Sequence, residues 1–185
     1  MPGPAIEVHN LSKHFGHIKA VDSISFSVGV GEILGLLGPN GAGKTTTISM
    51  LATMLEPSHG SIRVNGFPIS EQDKVRNSIG IVFQDPSLDD DLTAMENLQF
   101  HGRIYHLPKK ERLARAKEVL KLVGLEERAS SLVKTYSGGM KRRLEIARGL
   151  MHQPKVLFLD EPTLGLDPQT RRNIWEYIER LQKDH

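Results

Sequence analysis

A glycine-rich segment near the start of the chain contains the residue types that bind phosphate. Residues 38–45 read Gly-Pro-Asn-Gly-Ala-Gly-Lys-Thr and match the pattern G-x-x-x-x-G-K-[ST]. Glycines let the backbone curl until successive N–H groups point at phosphate oxygens, and the following helix adds the positive end of its dipole. We therefore expect Lys44 to reach the β- and γ-phosphates of a nucleotide and the Thr45 hydroxyl to bind Mg²⁺.

A pair of carboxylates follows an apolar segment later in the chain. Residues 156–159 are apolar throughout, and Asp160 and Glu161 come directly after them. Parallel sheets place ligand-binding groups at the C-terminal ends of their strands. We therefore expect Asp160 to hold the hydration shell of Mg²⁺ and Glu161 to polarise a water molecule for attack on the γ-phosphate. An isolated Asp at a strand end caps a helix or turn about as often as it binds a metal. The metal-binding role of Asp160 is therefore expected only because the chain also has the glycine-rich loop.

A serine and two glycines precede another predicted helix. Ser137, Gly138 and Gly139 lie before an amphipathic segment, and such a helix start is a second anion-binding device. Taken alone, Ser-Gly-Gly is more often a linker. One phosphate chain does not need two such devices in one subunit. Two copies arranged head to tail would use both, each glycine-rich loop facing the other copy's Ser137.

The segments around these residues predict an α/β fold. Apolar residues alternate with polar ones at Ile6 and Val8 and again over residues 24–28, which indicates half-buried strands. Residues 33–37 are apolar at nearly every position, which is typical of a parallel strand covered on both faces. A helix is expected from Lys44 to about Leu55.

The pattern becomes helical after a second buried strand, which is predicted over residues 79–83. Residues 93–96 form a capping box, and Pro108 begins a helix that ends near Gly124. The basic residues of that helix are Lys109, Lys110, Arg112, Arg115, Lys117 and Lys121. We expect them to form a solvated face, with a protein or lipid-headgroup surface as the alternative.

The α/β pattern returns after residue 136, with a helix after Ser137 and a strand over residues 155–160. Asp167 and Pro168 cap a last helix. Its buried stripe is predicted at Ile174, Tyr177, Ile178 and Leu181. Residues 1–185 are thus expected to form one domain, in which 85–136 is a helical subdomain and 1–84 and 137–185 form the nucleotide-binding core.

Composition excludes several classes of protein. The chain has 185 residues, 25% of them charged, a net charge of +2 and no Cys, so disulfides, thiolate metal sites and a cysteine nucleophile are excluded. No apolar run approaches the ~18 residues that span a bilayer, and the N-terminus lacks a signal-peptide pattern. We expect a chain that neither crosses a membrane nor is secreted, and the small net charge does not favour a nucleic-acid partner.

The order, spacing and flanks of these motifs resemble the ATP-binding cassette (ABC) family over nearly the whole chain. The resemblance identifies residues 38–45 as the Walker A motif, Gln84 as the Q-loop, residues 137–139 as the signature, residues 160–161 as Walker B and residues 165–167 as the D-loop. Phe15 occupies the position at which this family stacks adenine. Tyr136 and Met140 depart from the commonest signature, but they and residues 83–93 are similar to drug- and antibiotic-resistance exporter ATPases.

The resemblance implies a fold, two cofactors and a set of site residues. The implied fold is a P-loop NTPase (RecA-like) parallel-sheet core with an N-terminal antiparallel β region and an inserted helical subdomain. The implied cofactors are ATP and Mg²⁺, with Lys44, Gln84 and Glu161 as catalytic residues and Thr45, Gln84 and Asp160 at the metal. The nucleotide-binding residues would be Phe15, Gly38, Pro39, Asn40, Gly41, Ala42, Gly43, Lys44, Thr45, Thr46, Ser137, Gly138 and Gly139.

The resemblance also implies partners and a location. The expected function is ATP binding and hydrolysis in a membrane exporter, with a second identical or different cassette and an integral membrane permease as partners. The subunit would lie in the cytoplasm, on the inner face of the cell membrane. A soluble ABC ATPase acting on ribosomes or DNA, an importer ATPase and a non-hydrolytic nucleotide sensor remain alternatives.

One family feature is expected beyond this chain. The switch histidine follows the last helix in the family, and His185 comes too early for that role. We expect His185 to be a solvated residue at a helix end, and the cassette to be truncated at its C-terminus.

Overall fold

The computed structural model describes residues 3–83, 87–160, 168–169, 171–172, 175–176 and 178–179. These residues divide into two compact units, one formed by the described residues up to Ile79 and the other beginning at Gly80. The strands are β1 (Ile6–Phe15), β2 (Ile18–Val28), β3 (His59–Val64), β4 (Phe67–Pro68), β5 (Ile79–Val82) and β6 (Val156–Leu159). The helices are α1 (Lys44–Leu51), α2 (Gln72–Ser78), α3 (Ala94–Ile104), α4 (Lys109–Leu122) and α5 (Gly138–Gly149), with 3₁₀ turns at Glu126–Arg128 and Val133–Thr135.

The first unit is built on an antiparallel sheet with the strand order β2-β1-β3-β4. Val8 lies opposite Phe26 on one side and Ile62 on the other. Because side chains alternate between the faces of a strand, Ile6 and Val8 both point into the core and are buried. The alternation around Ile6 and Val8 and over residues 24–28 therefore predicted β1 and β2 correctly, whereas it did not predict β3, β4 or α2.

Residues 33–37 differ from their prediction as a buried strand. They have no strand structure, and Ile33, Leu34 and Leu37 are 47%, 44% and 95% exposed. A parallel strand needs a hydrogen-bonded neighbour and a cover on both faces, and no strand of the described residues pairs with this segment. The prediction of a strand leading into the glycine-rich loop is therefore wrong for this structure.

Helix α1 begins at Lys44 as predicted but ends at Leu51, earlier than expected. Thr53 has a φ of 59°, a left-handed conformation that cannot continue the helix. Arg76 of α2 donates hydrogen bonds to the Thr53 hydroxyl and carbonyl oxygens at 2.9 and 3.2 Å. This contact between α2 and the turn after α1 fixes the end of the helix.

The second unit contains the parallel strands β5 and β6 and the helices α3, α4 and α5. Its buried core includes Leu98 of α3, Val119 of α4 and Ile146 of α5. Of the stripe predicted for the last helix, Ile178 lies in the same core, and Ile174, Tyr177 and Leu181 lie outside the described residues. Trp175 is 45% exposed. Within the described part of the chain, no helix has the combination of length and apolarity needed to cross a bilayer.

Local sequence signals set the starts of the helices in this unit. Thr93 Oγ1 accepts a hydrogen bond from the Glu96 N–H, and the Glu96 carboxylate accepts one from the Thr93 N–H, which confirms the predicted capping box. Helix α4 runs from the residue after Pro108 to Leu122, close to its predicted limits. The expected solvated face of α4 is wrong for two residues, because Arg112 and Arg115 are buried and donate hydrogen bonds to the carbonyl oxygens of Leu107 and Leu150.

An aromatic cluster at the end of α3 should make the stability of this unit depend on pH. Tyr105 stacks on His152 with 3.7 Å between ring centroids, and His101 lies 5.0 Å from Tyr105. Burial, with the nearby charge of Arg148 and His152, lowers the pKa of His101 from 6.5 to about 3. Because the folded state favours neutral His101, the stability that it contributes is complete above pH 6.5 and is lost as the pH falls from 6.5 towards 3.

We therefore expect the free energy of unfolding to fall by on the order of a few kcal/mol as the solution is acidified below the pKa of a free histidine. Replacement of His101 by Gln should flatten this dependence, measured by urea unfolding of the full-length protein across the pH range. The matched control is His106→Asn, which changes an exposed histidine just beyond α3. A pH dependence that persists unchanged in the His101 variant would contradict the assignment.

Candidate functional site

Residues 38–45 form an exposed, curved loop that leads into α1. Gly41 and Gly43 have φ angles of 83° and 82°, in the left-handed region that favours glycine. The Ala42 N–H donates to the Pro39 carbonyl at 3.2 Å and closes a turn inside the loop. Gly43 is the N-cap of α1. The backbone is therefore curled as the glycine spacing predicts.

Gly43 also allows a close contact between the loop and the first sheet. A Cβ atom at this position would lie 2.3 Å from the Ala20 carbonyl oxygen of β2 and 3.1 Å from Val21 Cγ2. A Cβ atom at Gly41 would meet no atom within 4 Å. Position 43 thus requires glycine for space and for its φ angle, whereas position 41 requires it for the φ angle alone.

We expect Gly43→Ala to destabilise the full-length protein by about 3 kcal/mol or more, because strain at φ and a backbone clash add together. Gly41→Ala, the matched control, should cost about 1–2 kcal/mol from its φ angle alone. Urea unfolding measures both values. Equal losses in the two variants would show that the contact with Ala20 has no energetic importance.

The Lys44 side chain folds back over the loop. Its Nζ donates hydrogen bonds to the carbonyl oxygens of Gly38 and Pro39 at 2.8 and 3.0 Å. The ammonium group is thereby held at the concave side of the curve, where a phosphate oxygen would find a charged donor. Hydrogen bonds between a cation and an anionic oxygen are about twice as strong as neutral ones.

The start of α1 adds a field that favours anions. The Thr47 N–H donates a hydrogen bond to the Gly43 carbonyl at 2.8 Å, and the Thr47 hydroxyl donates to the same oxygen at 2.9 Å. The N–H groups of the preceding turn, which includes Thr45 and Thr46, lie at the positive end of the helix. This first turn has no acidic residue to offset that potential.

Phe15 lies at the end of β1, on the same hairpin that contacts the loop. Its side chain is 50% exposed, and Lys13 Nζ lies 5.2 Å from the ring centroid. Phe15 pairs with Ile18 across the β1–β2 turn, and Ala20, which touches the loop, is two residues further along β2. Two residues of strand span about 7 Å, so an exposed aromatic face lies close to the part of β2 against which the loop packs.

Ser137 caps α5 with its side chain. The hydroxyl oxygen accepts a hydrogen bond from the Met140 N–H at 3.2 Å, and α5 has no acidic residue in its first turn. Ser137 and Gly138 are exposed, and a Cβ atom added to Gly138 would meet nothing within 4 Å. The structure thus presents the predicted signature residues at an open helix N-terminus that faces solvent.

Asp160 follows β6 and is 6% exposed. Its N–H donates to the Val82 carbonyl at 2.9 Å, and its carbonyl accepts from Arg142 Nη2 at 2.9 Å. The donor set predicted for Mg²⁺ is the Asp160 carboxylate, the Thr45 hydroxyl and Gln84, of which Gln84 lies outside the described residues. All three supply the hard oxygen donors that this ion prefers. The residues therefore fit a magnesium ion in their chemistry.

Several predicted site residues lie outside the described residues, namely Gln84, Glu161, the D-loop positions 165–167 and His185. Their roles remain predictions from the sequence.

The described residues add three charged side chains of α5 that were not predicted from the sequence: Arg142, Glu145 and Arg148. Glu145 is 1% exposed. The available signal in the sequence was weak: an acidic residue flanked directly by the apolar Leu144 and Ile146 in a predicted helix.

Comparisons with known proteins agree with this geometry. The profile of the ABC transporter family matches residues 21–164, which is more than half of the chain. The linearmycin resistance ATP-binding protein LnrL of Bacillus subtilis is 48% identical over 179 residues, covering 96% of this chain and 58% of that protein. The daunorubicin/doxorubicin resistance ATP-binding protein DrrA of Streptomyces peucetius is 45% identical over 181 residues, covering 97% of this chain and 55% of that protein. The chain thus spans less than two thirds of the length of these relatives.

Solved structures show the same fold. CbiO1 of Clostridium perfringens, described as part of the ABC transporter complex cbiONQ, superposes with a TM-score of 0.90 at 34% identity, covering 98% of this chain and 74% of that one. The ATP-binding cassette MJ0796, solved as a dimer with ADP and Pi in a post-hydrolysis state, gives a TM-score of 0.83 at 30% identity, covering 97% of this chain and 83% of that one. From the family profile, the relatives and the shared fold, we conclude that the chain belongs to the ABC transporter family and has the P-loop NTPase fold of its ATP-binding domains.

Proposed function

We propose that this chain is the ATP-binding and ATP-hydrolysing part of an ABC exporter ATPase. The observation that carries the proposal is the presence of two exposed phosphate-binding features in one chain: the curled loop with Lys44, and the open start of α5 at Ser137. In a head-to-tail pair of cassettes, each triphosphate is held by the loop of one protomer and the helix start of the other. Binding of ATP then closes the pair, and hydrolysis allows it to open.

Each site residue has a definite task in this scheme. The exposed ring of Phe15 stacks on adenine, the loop N–H groups and Lys44 hold the phosphates, and Ser137 with the amides of Gly138 and Gly139 holds the γ-phosphate from the partner side. Thr45, Gln84 and Asp160 would hold Mg²⁺, which neutralises phosphate charge when it is bound. Glu161 hydrogen-bonds the attacking water and accepts its proton.

One observation favours an exporter over an importer, and a second favours a membrane partner over ribosomes or DNA. The relatives that resemble the chain are named for antibiotic resistance and for export, the latter including a Nod factor export ATP-binding protein I of Paraburkholderia xenovorans that is 46% identical over 182 residues, 98% of this chain and 60% of that protein. In addition, Phe100 and Ile104 lie one turn apart on α3 and are 62% and 56% exposed. This apolar pair is the surface that we assign to contact with a membrane permease, and such a contact would hold the ATPase on the cytoplasmic face of the membrane.

The proposal is tested with the full-length protein that contains this chain. We expect Mg²⁺-dependent release of phosphate from ATP, loss of that release in Lys44→Ala, and co-purification with a polytopic membrane protein encoded beside it. Replacement of Phe100 and Ile104 by Ser should weaken co-purification and leave ATP binding intact. Absence of Mg²⁺-dependent hydrolysis in the wild-type protein would overturn the enzymatic role, and co-purification with ribosomes in place of a membrane protein would favour a soluble ABC ATPase.

A further inference from the structure

Arg142 of α5 binds the ends of both strands of the second sheet. Its Nη1 donates to the Phe83 carbonyl at 2.5 Å and its Nη2 to the Asp160 carbonyl at 2.9 Å. Phe83 directly follows β5 and Asp160 directly follows β6. A guanidinium group has a planar fork of donors, so one side chain can hold two carbonyls in a fixed relation. Burial lowers the pKa of Arg142, the direction expected for a cation enclosed by protein.

Two further charged residues of α5 hold the chain at Ser87. Glu145, 1% exposed, accepts the Ser87 N–H at 2.7 Å through Oε1 and Arg148 Nη2 at 2.9 Å through Oε2. Arg148 Nη2 also donates to the Ser87 hydroxyl. Because Arg142, Glu145 and Arg148 are spaced three residues apart, each is the helical neighbour of the next. One side of α5 therefore fixes Phe83, Ser87 and Asp160 together.

The far end of α5 is packed just as closely on β5. A Cβ atom at Gly80 would lie 2.3 Å from the Gly149 carbonyl oxygen, and one at Gly149 would lie 3.3 Å from Val82 Cγ2. Helix α5 and strand β5 therefore approach at backbone distance near Gly149. Nearer the start of α5, Arg142 joins the helix to the residue after β5 by a hydrogen bond from its charged side chain. A densely packed contact of this kind transmits displacement rather than absorbing it.

We propose that Arg142, Glu145 and Arg148 are positioning residues that couple the signature end of α5 to the Asp160 edge of the same protomer. This inference rests on the proposed function and adds a connection to it. A phosphate contact at Ser137 acts on the N-terminal end of α5. If the helix shifts, the three side chains transmit the shift to the backbone of Asp160 and to Phe83 and Ser87, the residues that flank positions 84–86. Engagement of the partner's nucleotide thus bears on how well this protomer holds its own Mg²⁺.

The test compares two neighbouring arginines of α5 in the full-length protein. Arg142→Gln removes the link between Phe83 and Asp160. Arg143→Gln, the matched control, removes a hydrogen bond of 2.9 Å to the Val123 carbonyl after α4, away from the sheet edge. The measurements are ATPase activity against Mg²⁺ concentration, binding of a fluorescent ATP analogue in EDTA, and thermal unfolding.

We expect Arg142→Gln to raise the half-saturating Mg²⁺ concentration by about 10- to 100-fold and to lower kcat. Loss of a residue that positions a metal ligand without touching the metal typically weakens metal binding or activity by that factor. Binding of the analogue in EDTA should be unchanged, and Arg143→Gln should keep the wild-type Mg²⁺ response. Arg142→Lys, which keeps the charge but lacks the fork and is less disruptive to folding, should give an intermediate shift.

Three results have distinct meanings. An Mg²⁺ response that is the same in Arg142→Gln and Arg142→Lys as in wild type would overturn the inference while leaving the proposed function intact. So would equal shifts in the Arg142 and Arg143 variants, since these would reflect general destabilisation. A wild-type protein without Mg²⁺-dependent hydrolysis would instead overturn the proposed function itself.

Discussion

Replacement of Glu161 by Gln in the full-length protein is expected to lower the ATP turnover number by about 10²- to 10⁴-fold, the range typical of loss of a general base. Glutamine keeps the size of the side chain but cannot accept a proton from the attacking water. ATP binding should persist, because the contacts that we propose with the phosphates are those of Lys44, the loop and Ser137. The variant should therefore accumulate as a closed dimer when ATP and Mg²⁺ are added.

Turnover assays and size-exclusion chromatography with and without ATP check both parts of this expectation. Glu176→Gln is the matched control, since Glu176 is an exposed helical residue and should keep wild-type turnover. Asp160→Asn should differ from Glu161→Gln by losing the Mg²⁺ response together with hydrolysis. Unchanged turnover in Glu161→Gln would refute the assigned role of this carboxylate.

Features that depend on neighbouring residues could be predicted from the sequence. The Thr93–Glu96 capping box and the Ser137 N-cap are present as predicted, because a cap is formed by residues within one helical turn. The curled loop follows from its glycines in the same way. Belonging to the ABC transporter family was also evident, because its motifs combine local chemistry with a fixed order along the chain.

Features that depend on distant partners were predicted poorly. Residues 33–37 have the composition of a covered parallel strand, but strand structure needs a paired neighbour, which the described residues do not supply. Arg112 and Arg115 look like solvent-facing cations in sequence, yet their guanidinium groups find carbonyl acceptors in the interior. Arg142 and Glu145 were missed for the same reason, because a charge is buried only where the tertiary structure provides its partners.

The head-to-tail arrangement predicts the outcome of mixing two inactive variants. Lys44→Ala removes the charged donor of the loop and leaves Ser137 intact. Gly138→Asp leaves the loop intact and places a negative charge at the start of α5, where it should repel the γ-phosphate. The Asp side chain has room, since a Cβ atom at Gly138 meets nothing within 4 Å, and an acidic residue stabilises a helix N-terminus. Each variant should therefore fold and fail to hydrolyse ATP.

A mixed dimer of the two variants contains one composite site with both defects and one with neither. The intact site combines the loop of the Gly138→Asp protomer with the helix start of the Lys44→Ala protomer. Equal mixing should restore hydrolysis to about one quarter of the wild-type rate when the two sites act independently, because half of the dimers are mixed and one of their two sites is intact. Gly138→Asn, of the same shape as Asp but uncharged, should be less impaired, since only the aspartate repels phosphate. If each nucleotide were held within a single protomer, mixing could restore nothing, so activity no higher than that of the separate variants would exclude the shared site.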